Sequence, residues 1–87
     1  MTFDVRLGAK SQKFMKTAVK VLYDRLFKKL ERLGDDPFPP DAKKVAGQKE
    51  KTYRVRVGDY RILYLVLLEE RTVLVVNIDK RPKVYGG

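Results

Sequence analysis

The polarity of the chain changes period twice. Residues 3–7, Phe-Asp-Val-Arg-Leu, alternate apolar and polar, the two-residue repeat of a half-buried strand, and Gly8 ends the run. From residue 10 to 33 the repeat lengthens. Phe14, Ala18, Leu22, Leu26, Leu30 and Leu33 recur every three or four positions, and Lys13, Lys16, Lys20, Lys28 and Arg32 fill the opposite face. That is the pattern of an amphipathic helix. One straight helix of this stretch would be about 36 Å long, against a radius of gyration of about 12 Å for a domain of this size. Two helices with a bend around residues 16–20 are therefore predicted. Gly34 offers a C-terminal cap and Pro37 forbids continuation. Asp36-Pro37-Phe38-Pro39-Pro40 reads as a stiff extended linker, running through Lys43-Lys44 to a turn at Gly47.

The last third returns to strand periodicity. Segments 52–57, 60–68 and 72–78 are rich in Val, Ile, Leu and Tyr. Two residues, Gly58-Asp59, join the first pair, and Glu69-Glu70-Arg71 joins the second. The predicted order is β-α-α-β-β-β. This is an α+β fold, a small, antiparallel-rich twisted sheet with the two N-terminal helices packed on one face, in a single domain over residues 1–87.

A two-residue hairpin turn fixes register. Val57 should face Tyr60, Val55 should face Ile62, and Tyr53 should face Tyr64, which makes one side of the hairpin apolar and aromatic. On the other side Arg56 should lie opposite Arg61, and Arg54 opposite Leu63. Like charges directly across a ladder destabilise it by some tenths of a kcal/mol. The expected neighbourhood holds no carboxylate except Asp59, which belongs to the turn. Two readings follow. One is an anion site in which guanidinium groups meet phosphate oxygens; the other is a solvated basic strand face.

Composition narrows the chemistry. The 87 residues contain no cysteine and no histidine. Disulfides, thiolate metal sites, the commonest general base and any Ser-His or Cys-His nucleophile pair are thereby excluded. No metal ligand set or cofactor motif is recognisable, and no GxxxxGK[ST] loop occurs. Twenty Lys and Arg against eleven Asp and Glu give a net charge of +9, which favours an anionic partner, nucleic acid foremost. The longest apolar run, residues 62–68, is far short of the about 20 needed for a membrane span, and the N-terminus has no signal-peptide pattern. A cytoplasmic protein with no membrane association is expected. After the last predicted strand, Asp79-Lys80-Arg81-Pro82-Lys83-Val84-Tyr85 gathers Lys80, Arg81 and Lys83 into a basic tip beside an aromatic hydroxyl. Such a tip suits a phosphate and a stacked base, or is simply a basic terminus with Tyr85 packed on the sheet. Lys43 and Lys44 are further candidates for backbone phosphate, or are merely solvated.

Leu33…Pro37, Lys44-Val45-Ala46-Gly47, the string from Tyr53 to Tyr64 (YRVRVGDYRILY) and Lys80-Arg81…Val84-Tyr85 together resemble the RelE/ParE toxin superfamily, RelE branch, over nearly the whole chain. The resemblance implies a ribosome-dependent mRNA interferase of a type II toxin–antitoxin pair. Its partners would be the ribosome, mRNA and an acidic, partly disordered antitoxin, and it would work without metal. The family's functional positions fall on Arg54, Arg56, Arg61, Arg81 and Tyr85. Arg61 and Arg81 would meet transition-state charge, and Tyr85 would stack or transfer a proton. The family's best-studied form has lysines where this chain has Arg54 and Arg56. Arginine stays protonated, so it is a poor general base, and the proton would pass to Tyr85 or to substrate groups, or cleavage would be slow. A gyrase-inhibiting ParE-like protein and a catalytically decayed RNA-binding domain are the alternatives.

Overall fold

Ala18 and Val19 break the long helical stretch in two. Both adopt extended backbone angles, so the lysine-faced segment becomes α1 (Ala9–Thr17) and α2 (Lys20–Asp35), as the length argument required. In this computed structural model, which describes residues 2–47 and 51–80, the strands are β1 (Asp4–Leu7), β2 (Lys43–Val45), β3 (Thr52–Val57), β4 (Tyr60–Leu67) and β5 (Thr72–Lys80). They form one sheet in the order β1-β5-β4-β3-β2. β1 runs parallel to β5, and the other neighbours are antiparallel.

The helices cover one face. α1 packs on β5 and β1, and α2 on β1, β3 and β5. Met15 from α1 and Leu26, Leu30 and Leu33 from α2 meet Val55, Ile62, Tyr64, Val73, Val75 and Ile78 of the sheet. Each leucine so buried contributes about 1.5–3 kcal/mol over its exposed state. Ser11 anchors α1: its buried hydroxyl donates to the Val75 carbonyl at 3.0 Å.

Three expectations require correction. Residues 43–45 are not linker but an edge strand, with Lys43 opposite Arg54, Lys44 opposite Tyr53 and Val45 opposite Thr52. Three residues with two lysines carry no periodicity to read, and only β3 supplies their hydrogen-bonding partner. The proline segment is not a free spacer either. Pro37 is buried and its carbonyl accepts a hydrogen bond from the Tyr64 hydroxyl at 2.7 Å, while Lys29 of α2 grips Asp41 at 2.7 Å. Gly34, finally, does not cap α2. The helix runs on to Asp35, and Gly34 is there because β1 crosses close by. A Cβ at this position would sit 3.1 Å from the Phe3 carbonyl and 3.2 Å from Val5 Cγ2.

Candidate functional site

The β3–β4 hairpin has the register its turn dictates. Val57 pairs with Tyr60, Val55 with Ile62, Tyr53 with Tyr64, Arg56 with Arg61, and Arg54 with Leu63. Gly58 takes φ +58°, which a primed two-residue turn requires of its first central residue. Alternation then sends Val55, Ile62 and Tyr64 into the helix-covered core and leaves Arg54, Arg56 and Arg61 together on the open face.

Two cross-strand rows result. One runs Lys43–Arg54–Leu63–Asn77 through β2, β3, β4 and β5, and the next runs Arg56–Arg61–Asp79 through β3, β4 and β5. At about 4.8 Å per strand, the first row spans about 14 Å. Four cations and one carboxylate share the patch. Arg56 is exposed, whereas Arg54 and Arg61 are half-buried.

Asp79 is the residue that sequence reasoning missed. Arg61 donates from Nε to Asp79 Oδ1 at 3.2 Å and from Nη2 to Oδ2 at 3.5 Å, and Asn77 Nδ2 donates to Oδ2 at 3.1 Å. The arginine cluster is therefore not free of carboxylates, and Arg61 has a partner that offsets its repulsion from Arg56. Removing Arg61 would break that pair rather than simply relieve strain. The oversight has a physical origin. β5 runs two residues beyond Ile78, and a register shift after Leu63 lets Leu63 face Asn77 while Tyr64 faces Val75. Buried positions consequently fall at Val73, Val75 and then Ile78, an interval of three that hides the continuing strand. The alternation Asn77-Ile78-Asp79 was the available signal.

Lys80 closes β5, exposed and opposite Tyr60, so it belongs to the sheet rather than to a separate tip. Lys43 joins the first row beside Arg54. Lys44 sits opposite Tyr53, one residue out of phase with Arg54, and is exposed. Arg81, Lys83 and Tyr85 lie outside the described residues.

Behind the patch, Tyr64 is fully buried; burial, with lesser contributions from nearby Asp41, Tyr53 and Asp36, pushes its hydroxyl pKa up. It remains a hydrogen-bond donor, locked to Pro37, and has no part on the open face. What the open face offers chemically is a set of guanidinium donors on one side of the sheet, with one carboxylate fixing the orientation of Arg61.

A five-stranded mixed sheet with two helices on one face is the architecture of RelE-type toxins. The RelE–RelB complex of the archaeon Pyrococcus horikoshii contains a chain that superposes with a TM-score of 0.83 at 26% identity, covering 97% of this chain and all of that one. The isolated RelE toxin of E. coli shares the fold with a TM-score of 0.81 at 20% identity, over 95% of this chain and 88% of its own. In sequence, a Methanocaldococcus jannaschii protein named "Putative toxin RelE1" is 30% identical over 88 residues, 98% of this chain and 97% of the relative. The model of the ParE toxin of type II toxin–antitoxin systems matches residues 6–85, and the chain belongs to that family within the RelE/ParE superfamily.

Proposed function

We propose that this toxin is a ribosome-dependent mRNA interferase that cleaves the A-site codon and so inhibits translation. The observation that carries the reading is the convergence of Arg54, Arg56 and Arg61, with Lys43 beside them, on one open face of the sheet. In this reaction the RNA 2′-oxygen attacks the adjacent phosphorus. The O2′–P bond forms as the P–O5′ bond breaks, the 2′ proton departs to a base, and the 5′ oxygen gains a proton. The products are a 2′,3′-cyclic phosphate and a 5′-hydroxyl. Nucleophile and leaving group both belong to the RNA, so the protein supplies alignment and positive charge, and the reaction requires no metal. An oriented guanidinium donor such as Arg61 is worth about 10²-fold or more in rate.

Arg61 and Arg81 neutralise the charge developing on the phosphoryl oxygens. Arg54 and Arg56 hold the flanking backbone, and Lys43 and Lys83 extend the contact; Lys44 and Lys80, which the register puts in phase with Tyr53 and Tyr60, are not assigned to it. Because arginine does not release its proton at neutral pH, Tyr85 is assigned to proton transfer or base stacking. A cognate antitoxin is the proposed protein partner. The P. horikoshii neighbour and the RelBE2 neighbour from Mycobacterium tuberculosis were both solved as toxin–antitoxin complexes. A net charge of +9 suits an acidic, partly disordered partner segment.

The family model's ParE description favours a second reading, a gyrase inhibitor that cleaves nothing. Primer extension on mRNA in a translating extract separates the two. The interferase reading expects cuts within A-site codons that need ribosomes and disappear with Arg61→Ala or Arg81→Ala. Intact mRNA with loss of gyrase supercoiling would replace it with the second reading.

A further inference from the structure

α2 carries a second concentration of positive charge that the open face does not use. Arg25, Lys28, Lys29 and Arg32 recur at spacings of three and four on one flank of the helix. They line a groove of about 360 Å³ against Arg56 and Gly58 of the β3–β4 hairpin. Among the described residues, Val57 supplies the only apolar side chain in that lining. Lys29 is engaged by Asp41, but Arg25, Lys28, Arg32 and Arg56 have no carboxylate partner among the described residues. Arg25 is stationed over the turn itself: a methyl built on Gly58 would lie 3.1 Å from its Nη2. Glycine at this position leaves the guanidinium room to lie against the backbone.

We propose that this groove binds the phosphodiester backbone of RNA as a second site, contiguous through Arg56 with the arginines of the open face. It adds affinity and orientation but no chemistry. The lining decides between partners. A docked polypeptide draws its affinity from apolar and aromatic anchors seated in pockets, and this groove offers one valine. A phosphate backbone needs only cationic donors along its path, and guanidinium groups match its oxygens in pairs. The choice of RNA over DNA rests on the reading of the protein as an RNA-cleaving toxin.

The test is equilibrium binding of the full chain to a fluorescein-labelled RNA hairpin, without ribosomes, as salt is raised from about 50 to 200 mM. Arg25→Gln/Lys28→Gln/Arg32→Gln is expected to weaken binding about tenfold or more and to reduce the slope of log K against log salt by about 2–3. Lys10→Gln/Lys13→Gln/Lys16→Gln on α1 removes the same charge elsewhere and should leave the slope within about 1 of the parent. An unchanged slope in the α2 variant, or an equal fall in the α1 variant, overturns the proposal. So does a polyglutamate peptide that displaces the RNA and loses its own binding in the α2 variant, which would make the groove a protein-docking site. A groove-dependent preference for the matching DNA duplex would overturn the assignment to RNA. Cleavage is read separately by primer extension. Failure of the cuts to depend on Arg61 or Arg81 removes the interferase reading without touching the binding result.

Discussion

The two flanks of α2 are grooves of comparable size and opposite chemistry. On one side Val5, Leu7, Met15, Tyr23, Phe27 and Leu30, with Glu31 as the one charged residue among the described lining, border about 280 Å³, and Tyr23 and Phe27 stack at 6.0 Å, both partly exposed. On the other, Arg25, Lys28, Lys29 and Arg32 of the helix line about 360 Å³ together with Arg56, Val57 and Gly58 of the hairpin. Between them lie Leu26, Leu30 and Leu33, which hold the helix to the sheet. The contrast shows how a 16-residue helix can serve three surfaces. A 3.6-residue period assigns each third of the circumference its own chemistry, and the buried third fixes the angle at which the other two are presented. The cationic flank runs on through Arg56 to the open sheet face, whereas the apolar flank faces β1, the opposite edge of the sheet.

The largest expected effect comes from removing the support common to both flanks. Leu26→Ala should lower unfolding free energy by about 2–5 kcal/mol in urea titrations, because a fully buried side chain leaves a cavity. A smaller loss would mean that α2 is held mainly by its edges. Next is the carboxylate that intrudes on the cationic side. Asp79→Asn should slow mRNA cleavage about tenfold, equivalent to about 1.4 kcal/mol, by releasing the orientation of Arg61. RNA affinity should rise at the same time, since a negative charge is gone. Faster cleavage in this variant would recast Asp79 as a mask over Arg61 rather than a guide.

Tyr64→Phe should cost about 1 kcal/mol at neutral pH, through loss of the hydrogen bond to Pro37. The folded-state pKa of Tyr64 is raised, so its contribution is complete below the unfolded value of about 10 and declines as pH rises past it. Thermal melts above about pH 10 should accordingly fall less steeply in the Phe variant. Phe27→Ala tests the division between flanks directly. It should cost about 1 kcal/mol or less, the ring being half-exposed, and leave RNA affinity unchanged. A marked loss of RNA binding would show that nucleic acid covers both grooves. The smallest effect belongs to Lys29–Asp41. Its hydrogen bond to Lys29 holds the Asp41 carboxyl below the usual value, against the opposing effect of burial. Its stability is thus present above the unfolded pKa of about 3.9 and lost as pH falls through the folded one. Asp41 is half-exposed, so Asp41→Asn should shift stability by only a few tenths of a kcal/mol, vanishing in strong acid.

Much of the candidate site was legible because it depends on short-range geometry. A two-residue turn at Gly58-Asp59 leaves one register, and alternation does the rest, so the grouping of Arg54, Arg56 and Arg61 follows from residues 53–64 alone. The break between α1 and α2 was legible for a different reason: a straight helix would have been too long for the domain. Asp79 was hidden because a bulge interrupts the period just where β5 turns polar. Neither did the apparent cap at Gly34 reveal its use, since the crossing of β1 lies 29 residues away in sequence and no local pattern encodes a close approach.

The amino-acid sequence by itself determined every element but β2, the inward face of each of those, the excess of positive charge and the lack of histidine and cysteine chemistry. These are consequences of period, turn length and composition, all local quantities. Tertiary structure alone decided that β2 exists, that Asp79 pairs with Arg61, that Pro37 receives the Tyr64 hydroxyl, and that the basic flank of α2 faces the hairpin turn. Each of these joins residues distant along the chain. Such pairings are chosen by the register of neighbouring strands and by the packing of α2 on the sheet, which no single segment specifies.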